Sequence, residues 1–311
     1  MSGLLGTYAA YEKLDRQLAC GQAKLLSIVP TSGKLKNLAD HIARCRRMVI
    51  KLGTNVIMRD DGRIALGRFY GIAESIAKLR QEGREVLLVS SGAIGLGMER
   101  IGLKKRPTEL AALQACAAIG QSRLMSIYDD AFEKLGCRIA QVLLTEDDFR
   151  DAQRFANLRG TLASLIEMGV IPIINENDTV STVELDRPSE SPDHKRVFGD
   201  NDKLSGLVMT HIDADLLVLL SDIDGLFNGD PRSPGTTLIT EVHEVTPEIR
   251  GFAQGKNGRG RGGMTTKLEA ARIVTEAGRF AVIANGHIPH VLESVCAGEL
   301  VGTWFWPRRK A

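Results

Sequence analysis

The stretch MVIKLGT, residues 48–54, decides the fold, because a short apolar run leads directly into a glycine and a threonine. Other apolar runs of the chain have the same form. They are EVLLVSSG at 85–92, VIPIINEND at 170–178, LLVLLSD at 216–222 and FAVIANG at 280–286. Short continuous apolar runs are typical of strands in a parallel sheet that is covered on both faces.

Helical patterns lie between these runs. The predicted strands cover 48–52, 85–90, 138–144, 170–175, 215–220 and 280–284, with 303–306 as an edge strand. The predicted helices cover 66–81, 151–168, 203–212, 264–277 and 291–297, with two more between 109 and 135. This alternation predicts an α/β fold, a three-layer α/β/α sandwich with a mostly parallel central sheet. Ligands of such sheets bind beyond the carboxyl ends of the strands, where the small and polar residues collect here.

Composition excludes several classes of protein. The 311 residues are 43% hydrophobic and 25% charged, as in a globular protein. A net charge of +2 provides no basic surface, so no nucleic-acid partner is expected. No apolar run approaches the ~20 residues of a membrane span, and no secretion signal opens the chain. We therefore expect no membrane partner and a cytoplasmic location. The five scattered cysteines favour reduced thiols.

The first 47 residues differ from the rest, with eight Lys and Arg against three Asp and Glu. Their helical spacing, at 11–22 and 35–46, is weak. We interpret residues 1–47 as an N-terminal appendage of unknown role and residues 48–311 as one α/β domain.

Two lysines are candidates for phosphate chemistry. Lys51 lies inside an apolar run, where a charge is costly unless it is paired or catalytic. The alternative is a lysine that reaches solvent from the sheet. The stretch GRGRGG at 258–263 opens a helix that carries Lys267, which suits an anion at the helix N-terminus. The alternative there is a flexible basic loop that caps a surface helix, because Gly-rich matches often mislead. No strand precedes the glycines, which argues against a dinucleotide-binding fingerprint, and the P-loop motif is absent. Two lysines facing one crevice suit phosphoryl transfer.

The acidic candidates are Asp178, in NEND at 175–178, and the run GDND at 199–202, which ends at Asp202. The spacing leaves open whether they cap the helix near Lys203, hold the lysines, bind a substrate ammonium or hold Mg²⁺ through water.

The motifs, taken in order, resemble those of the glutamate 5-kinases in the amino acid kinase family. They are VIKLGT at 49–54, VSSGA at 89–93, AIGQS at 118–122, LLT at 143–145, INEND at 174–178, GDND at 199–202, LSD at 220–222 and GGMTTK at 262–267. The resemblance covers residues 48 to 305. It implies the amino acid kinase fold and the ATP-dependent phosphorylation of L-glutamate to L-glutamyl 5-phosphate, the first step of proline biosynthesis, with Mg²⁺.

The resemblance also implies a role for each matching residue. Lys51 and Lys267 would stabilise the transferred phosphoryl group, and Asp202 would orient them. Glutamate would bind to Ser91, Gly92, Asp178 and Asn201. ATP would bind to Lys51, Gly53, Ser221, Asp222, Arg261, Gly262, Gly263, Met264, Thr265, Thr266 and Lys267. No residue is expected to be a metal ligand. A carboxylate acceptor is ionised at pH 7, so no general base is needed.

Other family properties are expected as well. They are assembly as a dimer or tetramer and feedback inhibition by proline. Many members carry a C-terminal PUA domain; since this sequence stops at Ala311, we expect the kinase domain alone. The segment 185–197 is longer and more charged than the family pattern and is expected to form a lid. Arg261 stands where the pattern has a small hydroxyl residue. The alternatives are a kinase of this fold for another small acid, or a non-catalytic amino-acid sensor.

Overall fold

The computed structural model describes residues 32–180, 201–254 and 262–308. The strands are β1 (Arg47–Leu52), β2 (Glu85–Val89), β3 (Arg138–Leu144), β4 (Val170–Glu176), β5 (Leu216–Ser221), β6 (Glu241–Val242), β7 (Phe280–Asn285) and β8 (Thr303–Phe305). The helices are α1 (Ser32–Ala43), α2 (Thr54–Ile57), α3 (Leu66–Gln81), α4 (Ala93–Arg100), α5 (Leu110–Lys134), α6 (Asp147–Arg150), α7 (Ala152–Glu167), α8 (Asn201–His211), α9 (Pro247–Gln254), α10 (Gly262–Glu276) and α11 (Val291–Cys296).

The strands form one eight-stranded sheet in the order β3-β4-β2-β1-β5-β7-β8-β6. Every neighbouring pair is parallel except β7 and β8, which are antiparallel. Strand β1 lies in the interior, with Lys51 in register with Val89 of β2 and Leu219 of β5. The carboxyl ends of β1, β2, β4, β5 and β7 therefore meet at one edge of the sheet, as the sequence predicts.

Alternate residues of β1 face two separate apolar layers, which explains why its run is continuously apolar. Met48, Ile50 and Leu52 pack in one cluster with side chains from α1, α3, α5 and α11. Val49 packs in the other with side chains from α7, α8 and α10. The sheet is thus covered on both faces, and the predicted three-layer α/β/α fold is confirmed. No helix within the described ranges has both the length and the apolar content needed to cross a membrane.

Helices α4 and α5 pack with their backbones in contact. A Cβ atom added to Gly120 would lie 1.7 Å from the carbonyl oxygen of Ala93, and one added to Gly97 would lie 1.8 Å from that of Cys116. Neither position has room for a side chain. The two helices that follow β2 therefore pack against each other too closely for a side chain at either glycine.

The described part of residues 1–47 includes α1. Its Leu38 and Ile42 are fully buried in the core. The helix predicted at 11–22 lies outside the described residues, and a domain boundary at residue 47 stays a prediction.

Two details of the prediction are wrong. The stretch 109–135 forms one helix, α5 (Leu110–Lys134), because its apolar stripe continues without a proline from Leu113 to Phe132. Strand β8 is not at the edge, because the two-residue strand β6 pairs with its outer side. The short helices α2, α4 and α6 and the strand β6 were not predicted. The segment 185–197 lies outside the described residues.

Candidate active site

A cleft of roughly 670 Å³ opens at the carboxyl ends of the central strands. It is lined by residues predicted to bind glutamate, the glutamate set, and by residues predicted to bind ATP, the ATP set. From the glutamate set they are Ser91, Gly92, Asp178 and Asn201, and from the ATP set they are Lys51, Gly53, Ser221, Asp222, Gly263, Met264 and Lys267. The two sets therefore share one continuous cavity.

The two lysines meet at Asp202, which is fully buried in the first turn of α8. Lys51 Nζ lies 2.7 Å from Asp202 Oδ1, and Lys267 Nζ lies 2.9 Å from Oδ2. The Thr266 hydroxyl also donates to Oδ2, at 2.9 Å. Burial opposes ionisation of the Asp202 carboxyl, but the two ammonium groups hold its pKa below the usual range. Among the open alternatives for Asp202, the structure shows the contact with the lysines.

This triad leaves one net positive charge in the wall of the cleft. Lys51 and Lys267 are both buried and both line the cavity, whereas Asp202 lies behind them. Lys267 Nζ also donates to the Gly263 carbonyl oxygen, at 3.1 Å, which fixes the ammonium near the start of α10. Two positioned cations beside a helix N-terminus form a favourable environment for an anion.

A chain of amides supports the part of the cleft wall that contains Ser91 and Asn201. Asn201 Nδ2 donates to Ser91 Oγ at 3.3 Å and to Asn175 Oδ1 at 3.1 Å. Asn175 Nδ2 in turn donates to Gln121 Oε1, at 2.8 Å. Gly92 takes a φ of 100°, a left-handed conformation that turns the chain from β2 into α4 and brings Ser91 to the cavity.

Sequence reasoning assigned no role to Gln121, although a signal existed. The buried stripe of α5 includes Cys116, Ala117, Gly120 and Leu124, and a glutamine at 121 interrupts this apolar spacing. A polar residue at such a position needs a buried partner, and Asn175 is that partner.

The third wall of the cleft joins β1 and β5. Asn55 Nδ2 donates to Asp222 Oδ2 at 2.9 Å, and the Ser221 hydroxyl donates to Asp222 Oδ1 at 3.1 Å. Partial burial opposes ionisation of Asp222, but these hydrogen bonds hold its pKa below the usual range. Asn55 was not predicted as a site residue, although it follows directly after the Gly53-Thr54 motif.

Some predicted residues stand apart from the cavity. Thr265 is exposed on α10 and is not among the lining residues, and Gly262 begins the helix. Thr266 acts on Asp202 rather than facing the cavity. Arg261 lies outside the described residues. Within the described ranges, no group of three or more His, Cys, Asp or Glu is placed to hold a metal ion.

Comparison with known proteins identifies the family. The amino acid kinase family matches residues 46–285. Glutamate 5-kinase of Myxococcus xanthus is 46% identical over 264 residues, which are 84% of this chain and 67% of that protein. The chain belongs to the glutamate 5-kinases of the amino acid kinase family. Glutamate 5-kinase of Herpetosiphon aurantiacus is similar as well, with 48% identity over 263 residues, 84% of this chain and 68% of that protein.

Solved structures share the fold of this amino acid kinase. Carbamate kinase from Giardia lamblia bound to AMP-PNP has a TM-score of 0.58 at 18% identity, over 85% of this chain and 99% of that one. Isopentenyl phosphate kinase from T. acidophilum has a TM-score of 0.56 at 16% identity, over 83% and 99%. At such identities the likeness shows the fold alone, and the fold is the one that the sequence motifs imply.

Proposed function

We propose that this chain transfers the terminal phosphoryl group of ATP to the side-chain carboxylate of L-glutamate, giving L-glutamyl 5-phosphate and ADP. In the cell this reaction would be the first step of proline biosynthesis. The observation that carries the proposal is the pairing of Lys51 and Lys267 on Asp202 in the wall of a single cleft. The names of the 44–48% identical relatives agree with it.

The triad performs the chemistry that phosphoryl transfer requires. The γ-carboxylate of glutamate is ionised at neutral pH and attacks phosphorus directly, so no proton has to be removed. Negative charge on the transferred group is stabilised by the ammonium groups of Lys51 and Lys267, which Asp202 holds in place before the substrates arrive. Asp202 is a positioning residue, because its two oxygens are occupied by the lysines.

The wall formed by Ser91, Asp178 and Asn201 is assigned to glutamate. Asp178 is buried at the cavity and supplies a negative charge for the substrate ammonium. Ser91 and Asn201 are mutually hydrogen-bonded, so they present a fixed polar surface to the acceptor.

The side formed by Gly53, Asp222, Gly263 and Lys267 is assigned to ATP. Mg²⁺ at nucleotide sites is usually held by phosphates and water with one or two carboxylates, so the lack of a three-ligand cluster in the described ranges fits an ion that arrives with ATP. Asp222, a carboxylate in the wall of the cleft, would accept hydrogen bonds from its waters. When bound, the ion neutralises charge on the phosphates. Proline inhibition, dimer or tetramer assembly and the cytoplasmic location stay predictions.

The test is to trap the acyl phosphate with hydroxylamine. Purified protein is incubated with ATP, Mg²⁺ and either L-glutamate, L-aspartate or N-acetyl-L-glutamate. We expect hydroxamate from L-glutamate alone. Product from another acid instead would keep the fold and reassign the acceptor. No product from folded protein that binds ATP would favour the sensor alternative, in which the lysines serve binding only.

A further inference from the structure

The cleft contains a third cation, Arg106, which no motif of the sequence identifies. Arg106 lies in the loop between α4 and α5 and lines the cavity together with Ile94 and Gly95 of α4. Its side chain is exposed, so a ligand can reach it. Within the described ranges the guanidinium has no hydrogen-bonded or ion-paired partner. The helices that flank its loop, α4 and α5, pack with their backbones in contact.

The charges of the cleft leave one substrate group unmatched. Among the described residues that line it, the cations are Lys51, Lys267 and Arg106 and the anions are Asp178 and Asp222. Both lysines contact Asp202 and are assigned to the transferred phosphoryl group, beside which the attacking carboxylate must lie. L-Glutamate brings a second carboxylate, at its α-carbon, and an ammonium group. Asp178 matches the ammonium, and the α-carboxylate still lacks a cation.

We propose that Arg106 binds the α-carboxylate of the acceptor and so selects amino acids over simple carboxylic acids. The inference rests on the proposed function. A guanidinium offers a planar pair of donors that matches a carboxylate, whereas Ser91 and Asn201 are neutral. The nucleotide phosphates already have Lys51, Lys267 and the N-terminus of α10. Arg106 is therefore the cation available to the acceptor.

The experiment compares Arg106→Ala with the wild type and with Lys105→Ala, which removes an adjacent exposed cation that is not among the lining residues. In Arg106→Ala we expect the KM for L-glutamate to rise by about tenfold or more, as for loss of a charge-assisted hydrogen bond. The KM for ATP and the kcat should change by less than about twofold, since no transition-state contact is lost. Lys105→Ala should resemble the wild type, and Arg106→Lys should recover part of the affinity.

Isoglutamine separates recognition from structural disturbance. It replaces the α-carboxylate of glutamate by an uncharged amide, and it is used as a competitor of L-glutamate. Its inhibition constant should be the same in the wild type and in Arg106→Ala. A parallel rise for isoglutamine and glutamate would mean a displaced loop and would overturn the proposal.

Two other results would also overturn it. A raised KM for ATP with an unchanged KM for glutamate would assign Arg106 to the nucleotide, and no change at all would leave it a surface cation. Calorimetric titration of L-glutamate into the wild type and Arg106→Ala tests the binding role of Arg106 separately from the proposed kinase reaction. Affinity that depends on Arg106 without acyl phosphate formation would contradict the proposed reaction but retain this site.

Discussion

Lys267 donates a 2.9 Å hydrogen bond to Asp202, a residue 65 positions earlier in the chain. The other oxygen of the same carboxylate lies 2.7 Å from Lys51 in the central strand β1. One buried anion thus fixes two cations from different elements, and both cations face the cleft. The two ammonium groups are therefore preorganised, so they need no rearrangement when the substrates bind.

Lys267→Met should lower kcat by a factor of about 10² to 10³, as for removal of a group that acts mainly in the transition state. The KM for L-glutamate should change little, because Lys267 is assigned to the phosphoryl group. Steady-state kinetics with both substrates measures the two parameters. Lys78→Met, at an exposed position of α3, is the control and should be neutral. Equal losses in kcat and in glutamate affinity would contradict the assigned role.

Asp202→Asn should lower the free energy of unfolding by about 3–5 kcal/mol at pH 7, because two buried ammonium groups lose their counter-charge. Urea unfolding measures this difference, and Asp60→Asn, at an exposed position, should show almost none. A loss no larger than that of the control would mean that the triad does not stabilise the fold.

The stability difference between the wild type and Asp202→Asn should depend on pH. The folded-state pKa of Asp202 lies below its ordinary value of 3.8. Its stabilising contribution is therefore present above that value and is lost as the pH falls through the folded-state pKa. The stability difference between the wild type and Asp202→Asn should be constant from pH 7 to about 5 and shrink below about pH 4. A difference that grows on acidification would contradict the ion pairs.

Gln121→Leu should raise the KM for L-glutamate by about three- to tenfold, the effect of one lost hydrogen bond on a positioning chain. The substitution leaves the Asn175 amide without its acceptor, and Asn201 and Ser91 lose support in turn. The KM for ATP should stay unchanged, because these hydrogen bonds support Asn201 and Ser91, which are assigned to glutamate. Gln81→Leu, at the exposed end of α3, is the matched control. A change confined to ATP affinity would show that the chain does not serve the acceptor.

Gly120→Ala should destabilise the protein by several kcal/mol, about the cost of strong overpacking. The new Cβ would lie 1.7 Å from the backbone oxygen of Ala93, so α4 has to move away from α5. Gly71→Ala in α3 meets no atom within 4 Å and should stabilise by up to ~1 kcal/mol through helix propensity. Thermal unfolding of both variants tests the contrast. Similar melting temperatures would show that the two helices can separate freely.

The local pattern of the sequence was enough for most of the fold. Each apolar run is a strand because it is buried on both faces, and the helix at 66–81 was predicted with its observed bounds. The apolar pattern did not predict the position of a strand in the sheet where that position depends on which strands pair. Strand β8 is covered by β6, a strand of two residues that carries no periodic signal of its own.

The sequence by itself determined where the site residues lie, since the residues that follow parallel strands must gather at one edge of the sheet. This rule pointed to the segments that carry Lys51, Ser91, Asp178 and Asp222, and the resemblance supplied the role proposed for each residue. The resemblance implied that Asp202 orients the two lysines, and the structure shows the contacts. The tertiary structure alone decided that Gln121 supports Asn175 and that Arg106 lines the cleft. These contacts depend on strand order and helix packing. They join residues from separate elements, and the separation of such residues along the chain does not predict their distance in the folded structure.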